Sequence, residues 1–158
     1  GDMREVSGGP WDLAFCLGNS LSLLRTEADV QTLLARLRKC LAPGGSFLVQ
    51  ILNYLAPRAQ QPRHRVETAG HEQGEIVAVK SLVPRGQHTL MTLNYFGDRS
   101  GAQIDSFPET ATLRNWTLDE LEALAGKTGF SVHERYGGFD RSAFDPAQSP
   151  DLLLLLSV

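Results

Sequence analysis

Residues 11–54 read WDLAFCLGNSLSLLRTEADVQTLLARLRKCLAPGGSFLVQILNY, and this stretch decides the fold. Positions 11–17 form a short apolar run with one acidic residue, Asp12, near its start. Gly18-Asn19-Ser20 break it with residues that tolerate unusual backbone angles and form local hydrogen bonds. A helical pattern follows, then a tight turn, then a second apolar run, SFLVQIL at 46–52. Two strands joined by one helix make a βαβ unit, whose strands should run parallel through a right-handed crossover. Ligands of open parallel sheets sit beyond the carboxyl ends of the strands. Those ends are Cys16, Leu17, Gly18, Asn19 and Ser20 on one strand and Leu52, Asn53 and Tyr54 on the other. The two tips are expected to wall one hollow.

Within the unit the helix is well marked. Thr26 suits its cap, with Asp29 in the capping-box position. Val30, Leu33, Leu34, Leu37 and Leu41 recur at helical spacing and give one apolar stripe. Arg36, Arg38 and Lys39 lie where cations complement the helix dipole, and Pro43-Gly44-Gly45 is expected to end the helix. Because a strand follows that glycine pair, it is not a phosphate loop.

Outward from this unit, residues 1–9 (GDMREVSGG) are polar and glycine-rich, and 55–63 are rich in Pro, Gln and Arg. Between 64 and 113 the pattern changes to short alternating segments at 65–68, 75–83, 88–96 and 102–113. They are separated by turn signals at Gly70, Pro84-Arg85-Gly86 and positions 97–101. An antiparallel meander inserted into a single α/β domain covering 1–158 is the expected organisation. Met91, Leu93 and Tyr95 would share one of its faces, and Leu90, Thr92 and Asn94 the other. A second helix starts at a full capping box, Thr117 with Glu120, with Trp116 and Leu121 placed as a hydrophobic staple. Its inward face is Leu118, Leu121, Leu124 and Ala125, and Gly129 suits the position after its end. Residues 130–136 predict a strand. The five consecutive leucines at 152–156 need burial on both faces, which predicts an interior strand.

At 158 residues the chain suits one domain with a real core. A net charge of −3 without a dense Lys/Arg cluster disfavours a nucleic-acid partner. The longest apolar run falls far short of the ~20 residues of a membrane helix, so neither a membrane partner nor a secretory segment is expected. Cys16 and Cys40 are too few for a disulfide scaffold and fall in elements expected to be buried, which points to reduced thiols in a cytoplasmic protein. His64, His71, His88 and His133 are scattered, and no metal-ligand spacing is present. Neither is a serine elbow, a P-loop or a GxGxxG.

The order GDMRE, WDLAFCLGNSL, a helix, LAPGGSFLVQILNY, a meander and TLDELEALAGKTGF resembles the class I S-adenosylmethionine-dependent methyltransferases. It is most similar to the small-molecule branch that includes the glycine/sarcosine N-methyltransferases. The resemblance runs over essentially the whole chain but matches only the C-terminal two-thirds of such an enzyme. It implies a partial Rossmann-like methyltransferase fold, strands four to seven of a seven-stranded sheet, with S-adenosyl-L-methionine as cofactor. Asp2 and Met3 match the family's adenine-binding pair, and Cys16, Leu17, Gly18 and Asn19 its cofactor-facing strand end. Asn19, Ser20, Asn53 and Tyr54 are implied as contacts of a small-molecule methyl acceptor. The family's glycine-rich turn and ribose-binding carboxylate would lie before Gly1. Leu52 stands where glycine methyltransferases carry a carboxylate-binding arginine, and Leu23 where a histidine is common. The competing expectation is a non-catalytic interaction module, homodimeric through the meander or an exposed sheet edge. In the family the first strand lies beside the fourth, so the 11–17 strand on its own would carry an unpaired, aggregation-prone edge.

Overall fold

The structure, a computed structural model, describes residues 1–71, 74–99 and 103–158. In chain order its elements are β1 (Trp11–Cys16), α1 (Glu27–Cys40), β2 (Leu41–Leu52), β3 (Arg63–His71), β4 (Gly74–Arg85), β5 (His88–Arg99), β6 (Gln103–Arg114), α2 (Leu118–Lys127), β7 (Ser131–Tyr136) and β8 (Asp151–Ser157). They fall into two compact units. The first comprises Gly1–Gln60 with Arg114–Val158, and the second Gln61–Leu113.

The first unit holds a four-stranded sheet in the order β1-β2-β8-β7. β1 and β2 are parallel, in register from Leu13 opposite Ser46 to Cys16 opposite Val49, as a helical crossover requires. β8 runs antiparallel to both neighbours. The leucine run lies in that interior strand, and Leu152, Leu153, Leu154 and Leu156 are all buried. The stripe Val30, Leu33, Leu34 and Leu37 of α1 joins Leu121, Leu124 and Ala125 of α2 and the sheet residues Phe47, Val49, Ile51 and Leu154 in one core. Both helices begin as their sequences direct. The Thr26 hydroxyl oxygen accepts from the Asp29 N–H at 3.2 Å, and Thr117 and Glu120 form the reciprocal box. Trp116 is buried and donates its indole N–H to the Leu24 carbonyl at 3.0 Å.

Two expectations are corrected. Pro43-Gly44-Gly45 do not form a separate turn between helix and strand. The chain leaves α1 at Cys40 and is already in β2 at Leu41. The glycines instead absorb a register jump from Trp11–Leu41 to Leu13–Ser46. Gly44 sits at φ 78°, and a Cβ on Gly45 would lie 2.9 Å from the Trp11 carbonyl oxygen. The two cysteines also differ, Cys40 being buried and Cys16 only half-buried, both as free thiols. Among the described residues β1 pairs on one side only, and its Leu13 and Phe15 are 55% and 66% exposed.

The second unit is a sheet in the order β3-β4-β5-β6. β3 and β4 pair antiparallel from Arg63 opposite Leu82, and β4 and β5 from Ile76 opposite Gly97. β3, β4 and β5 are longer than the apolar alternation predicts, because backbone pairing continues through polar residues, whereas β6 keeps the expected length shifted by one residue. Gly86-Gln87 close the β4–β5 hairpin, with φ 59° at Gly86 as a two-residue hairpin turn demands. The turn expected at 97–101 lies partly outside the described residues.

Candidate functional site

The turn that ends β1 is built by side chains that replace the lost strand ladder. Gly18 and Asn19 both take positive φ, 69° and 70°, the geometry of a tight turn between Leu17 and Ser20. The Ser20 hydroxyl closes it by donating to the Leu17 carbonyl at 2.8 Å. Two contacts tie it to β2. The Gly18 N–H donates to Gln50 Oε1 at 2.6 Å, and Asn19 Oδ1 accepts the Leu52 N–H at 2.6 Å.

Beside this turn an apolar trough of about 510 Å³ runs between the free edge of β1 and α1. Met3, Cys16, Leu17 and Ser20 line it together with Trp11, Leu33, Leu37 and Phe47. Met3 belongs to a single 3-10 turn, Met3–Glu5, whose cap is Asp2. Burial pushes the Cys16 thiol above its ordinary value, partly offset by the Leu21 backbone. Cys16 therefore presents a neutral wall.

Asp2 is anchored at the head of this turn. Its carboxylate accepts from the Arg4 backbone N–H at 2.9 Å and from Arg4 Nη2 at 2.6 Å. Arg4 Nη1 donates to Asp29 Oδ1 at 2.7 Å, which ties the N-terminal segment to α1. The side-chain hydrogen bond from Arg4 and then its backbone one hold the Asp2 carboxyl down at about 2. Asp29 is also lowered, first by the Thr26 hydroxyl and then by Arg4. A carboxyl whose folded value lies below its unfolded one adds stability above the unfolded value and loses it as pH falls to the folded one. The attachment of the 3-10 turn is therefore expected to be complete at neutral pH and to fail between 3.8 and about 2. The Met3 methyl resonance, followed during an acid titration, should move with a midpoint close to the lower value. A midpoint near 3.8 would show that the Arg4–Asp2 pair does not form.

Asn53 and Tyr54 are placed differently from expectation. Both are 3% exposed, and further chain could only bury them more. Asn53 Nδ2 donates to the carbonyls of Pro146 and Ser149, each at 2.9 Å, and so ties β2 to the loop before β8. The Tyr54 hydroxyl meets Ser22 Oγ at 3.1 Å inside the core. The two strand tips are neighbours, since Asn19 bonds the Leu52 N–H, and the trough beside β1 is lined by neither Asn53 nor Tyr54. The trough belongs to β1, α1 and the 3-10 turn. Gln50, passed over in the sequence, is the residue that fixes the turn. Its signal was a lone amide inside the apolar run SFLVQIL.

Among the described residues no three His, Cys, Asp or Glu side chains converge on a metal position, and no helix is long and apolar enough to cross a membrane. No protein-family model and no curated protein sequence matches the chain. Solved structures do. An S-adenosylmethionine-dependent methyltransferase from Clostridium acetobutylicum superposes with a TM-score of 0.79 at 13% identity, covering 100% of this chain and 63% of that one. The fold is that of S-adenosylmethionine-dependent methyltransferases. CalS10, an amino pentose methyltransferase from Micromonospora echinaspora, gives 0.73 at 21% identity over 99% of this chain and 62% of its own. KedS8, a sugar N-methyltransferase from Streptoalloteichus, gives 0.77 at 14% identity over 98% and 60%. The chain thus spans less than two thirds of the length of these structures.

Proposed function

We propose that this chain is the part carrying strands four to seven of a class I S-adenosylmethionine-dependent methyltransferase, with the meander as an insertion, and that the enzyme acts on a small-molecule amine. One observation supports the reading: Cys16, Leu17 and Ser20, at the carboxyl end of β1 in the parallel β1–β2 pair, line with Met3 the trough that runs along β1. The residues fit the cofactor. An apolar slot suits a flat adenine ring, and an ionised Asp2 carboxylate accepts hydrogen bonds only, as an exocyclic amino group requires. When bound, S-adenosylmethionine supplies a methyl group on a positively charged sulfur.

Alignment and exclusion of water are what this chain contributes, and orientation alone is worth ~7–11 kcal/mol in such displacements. Met3, Leu33 and Leu37 give the slot apolar walls. Asn19 spends its Oδ1 on Leu52, which leaves its Nδ2, with Ser20, to meet the acceptor. Glycine itself is disfavoured as acceptor by Leu52, an apolar residue where a carboxylate would need a cation. The sugar N-methyltransferase and the amino pentose methyltransferase of the same fold support an amine on a sugar-like acceptor instead.

Calorimetry on the complete gene product tests this. S-adenosylmethionine is expected to bind with Kd in the range of about 1 μM to 1 mM typical of enzyme substrates, and residues 1–158 alone to bind weakly or not at all. A folded complete product that binds none would sink the proposal and leave the interaction module as the better reading.

A further inference from the structure

Gln50 is 8% exposed on a strand of otherwise apolar neighbours. A buried amide is unfavourable unless both its ends are satisfied. Here both are, and in different directions. Oε1 accepts the Gly18 N–H at 2.6 Å, and Nε2 donates to Asp151 Oδ1 at 2.9 Å. Only a side chain that accepts at one atom and donates at another can serve a backbone N–H and a carboxylate together, so the amide orientation is fixed by its partners. The bridge spans the end of β1, β2 and the first residue of β8. It also lies where the β1–β2 ladder stops, since Cys16 opposite Val49 is the last pair. Beyond that pair the Gln50 side chain takes the N–H of Gly18 while the Asn19 side chain takes the N–H of Leu52. The two contacts cross, and together they hold a turn with two successive positive φ angles. Leu17 and Ser20, either side of it, line the trough.

We propose that Gln50, braced by Asp151, is a positioning residue that sets the Leu17–Ser20 wall against which the methyl donor lies. The inference rests on the methyltransferase reading. Gln50 itself touches neither donor nor acceptor. Its demand is directional: the donor–acceptor order along Gly18, Gln50 and Asp151 must be kept, and total charge must not rise.

The test uses the complete gene product with S-adenosylhomocysteine as probe, calorimetry for affinity and thermal unfolding to establish the fold. Q50E keeps the acceptor for Gly18 but sets a carboxylate against Asp151. It is expected to lose about tenfold or more in affinity, the order of one lost buried hydrogen bond. That loss should shrink as pH is lowered and the two carboxylates share a proton. The double variant Q50E/D151N restores one donor and one acceptor with the original net charge, and its affinity should return to within about threefold, under half of the 1.4 kcal/mol that a tenfold change represents. D151N alone should be tolerated, because the amide oxygen of an asparagine there can still accept from Gln50 Nε2. Q50E and the double variant binding equally at matched thermal stability would overturn the inference, as would Q50E binding like the unmodified protein. A folded unmodified protein that binds no S-adenosylhomocysteine would overturn the functional reading itself, and this inference with it. The two failures are therefore distinguishable.

Discussion

Leu154→Ala is expected to destabilise the first unit by about 2–5 kcal/mol, the range for emptying a fully buried leucine site. Leu154 is 0% exposed. It sits on the strand bonded on both sides, paired with Val49 of β2 and Arg135 of β7. A cavity there cannot be filled by a simple shift, because both neighbouring strands are held in register. Leu155, the next residue and on the opposite face, is only half-buried, so Leu155→Ala should cost clearly less. Urea unfolding of the two variants checks the contrast. Equal losses would mean that β8 is not packed between two strands with one face against the helices.

Gly9→Ala is expected to be of comparable severity for a different reason. Gly9 has φ 100°, and a Cβ there would lie 2.2 Å from the Cys40 carbonyl oxygen and 2.9 Å from its carbon. Backbone cannot yield as a side-chain tip can. Forced positive φ costs about 1–3 kcal/mol and overpacking a similar amount, so about 2–5 kcal/mol is expected. The same substitution should weaken donor binding, because the segment pressed against Cys40 is the one that brings Met3 to the trough. Gly126→Ala is the control. It lies in α2 with nothing within 4 Å of a Cβ, and should stabilise by about 0.5–1 kcal/mol. If Gly9→Ala unfolds at the same urea concentration as the parent, the N-terminal segment does not dock on the end of α1.

Much of the first unit was legible because its signals are local. The Thr117–Glu120 box, the stripe from Val30 to Leu37 and the five leucines each encode one element with its burial. The parallel pairing of β1 and β2 followed from connection length. What was illegible depends on distant partners. Pro43-Gly44-Gly45 read as a turn, yet Gly45 is required by the Trp11 carbonyl across the strand pair. Asn53 and Tyr54 have the composition of a binding wall. Only the fold shows that their polar atoms are engaged by Pro146, Ser149 and Ser22. Gln50 was hidden in the same way, since its partners are 32 and 101 residues away.

The proposed donor site lies along β1. Met3 and Cys16 line an apolar trough, Asp2 caps the 3-10 turn that carries Met3 and pairs with Arg4, and Gln50 with Asn19 holds the turn at the end of β1. The opposite face of the sheet offers a second apolar hollow, bordered by Leu48, Tyr136 and Leu155, which shares only Leu13 with the first.

Amide and methyl NMR of the complete gene product during titration with S-adenosylhomocysteine separates these two surfaces directly. The expected result is saturable shifts at Met3, Leu17, Gly18 and Ser20, with Leu48, Tyr136 and Leu155 unmoved. Shifts confined to Leu48, Tyr136 and Leu155, or none anywhere, would contradict a methyl-donor site along β1.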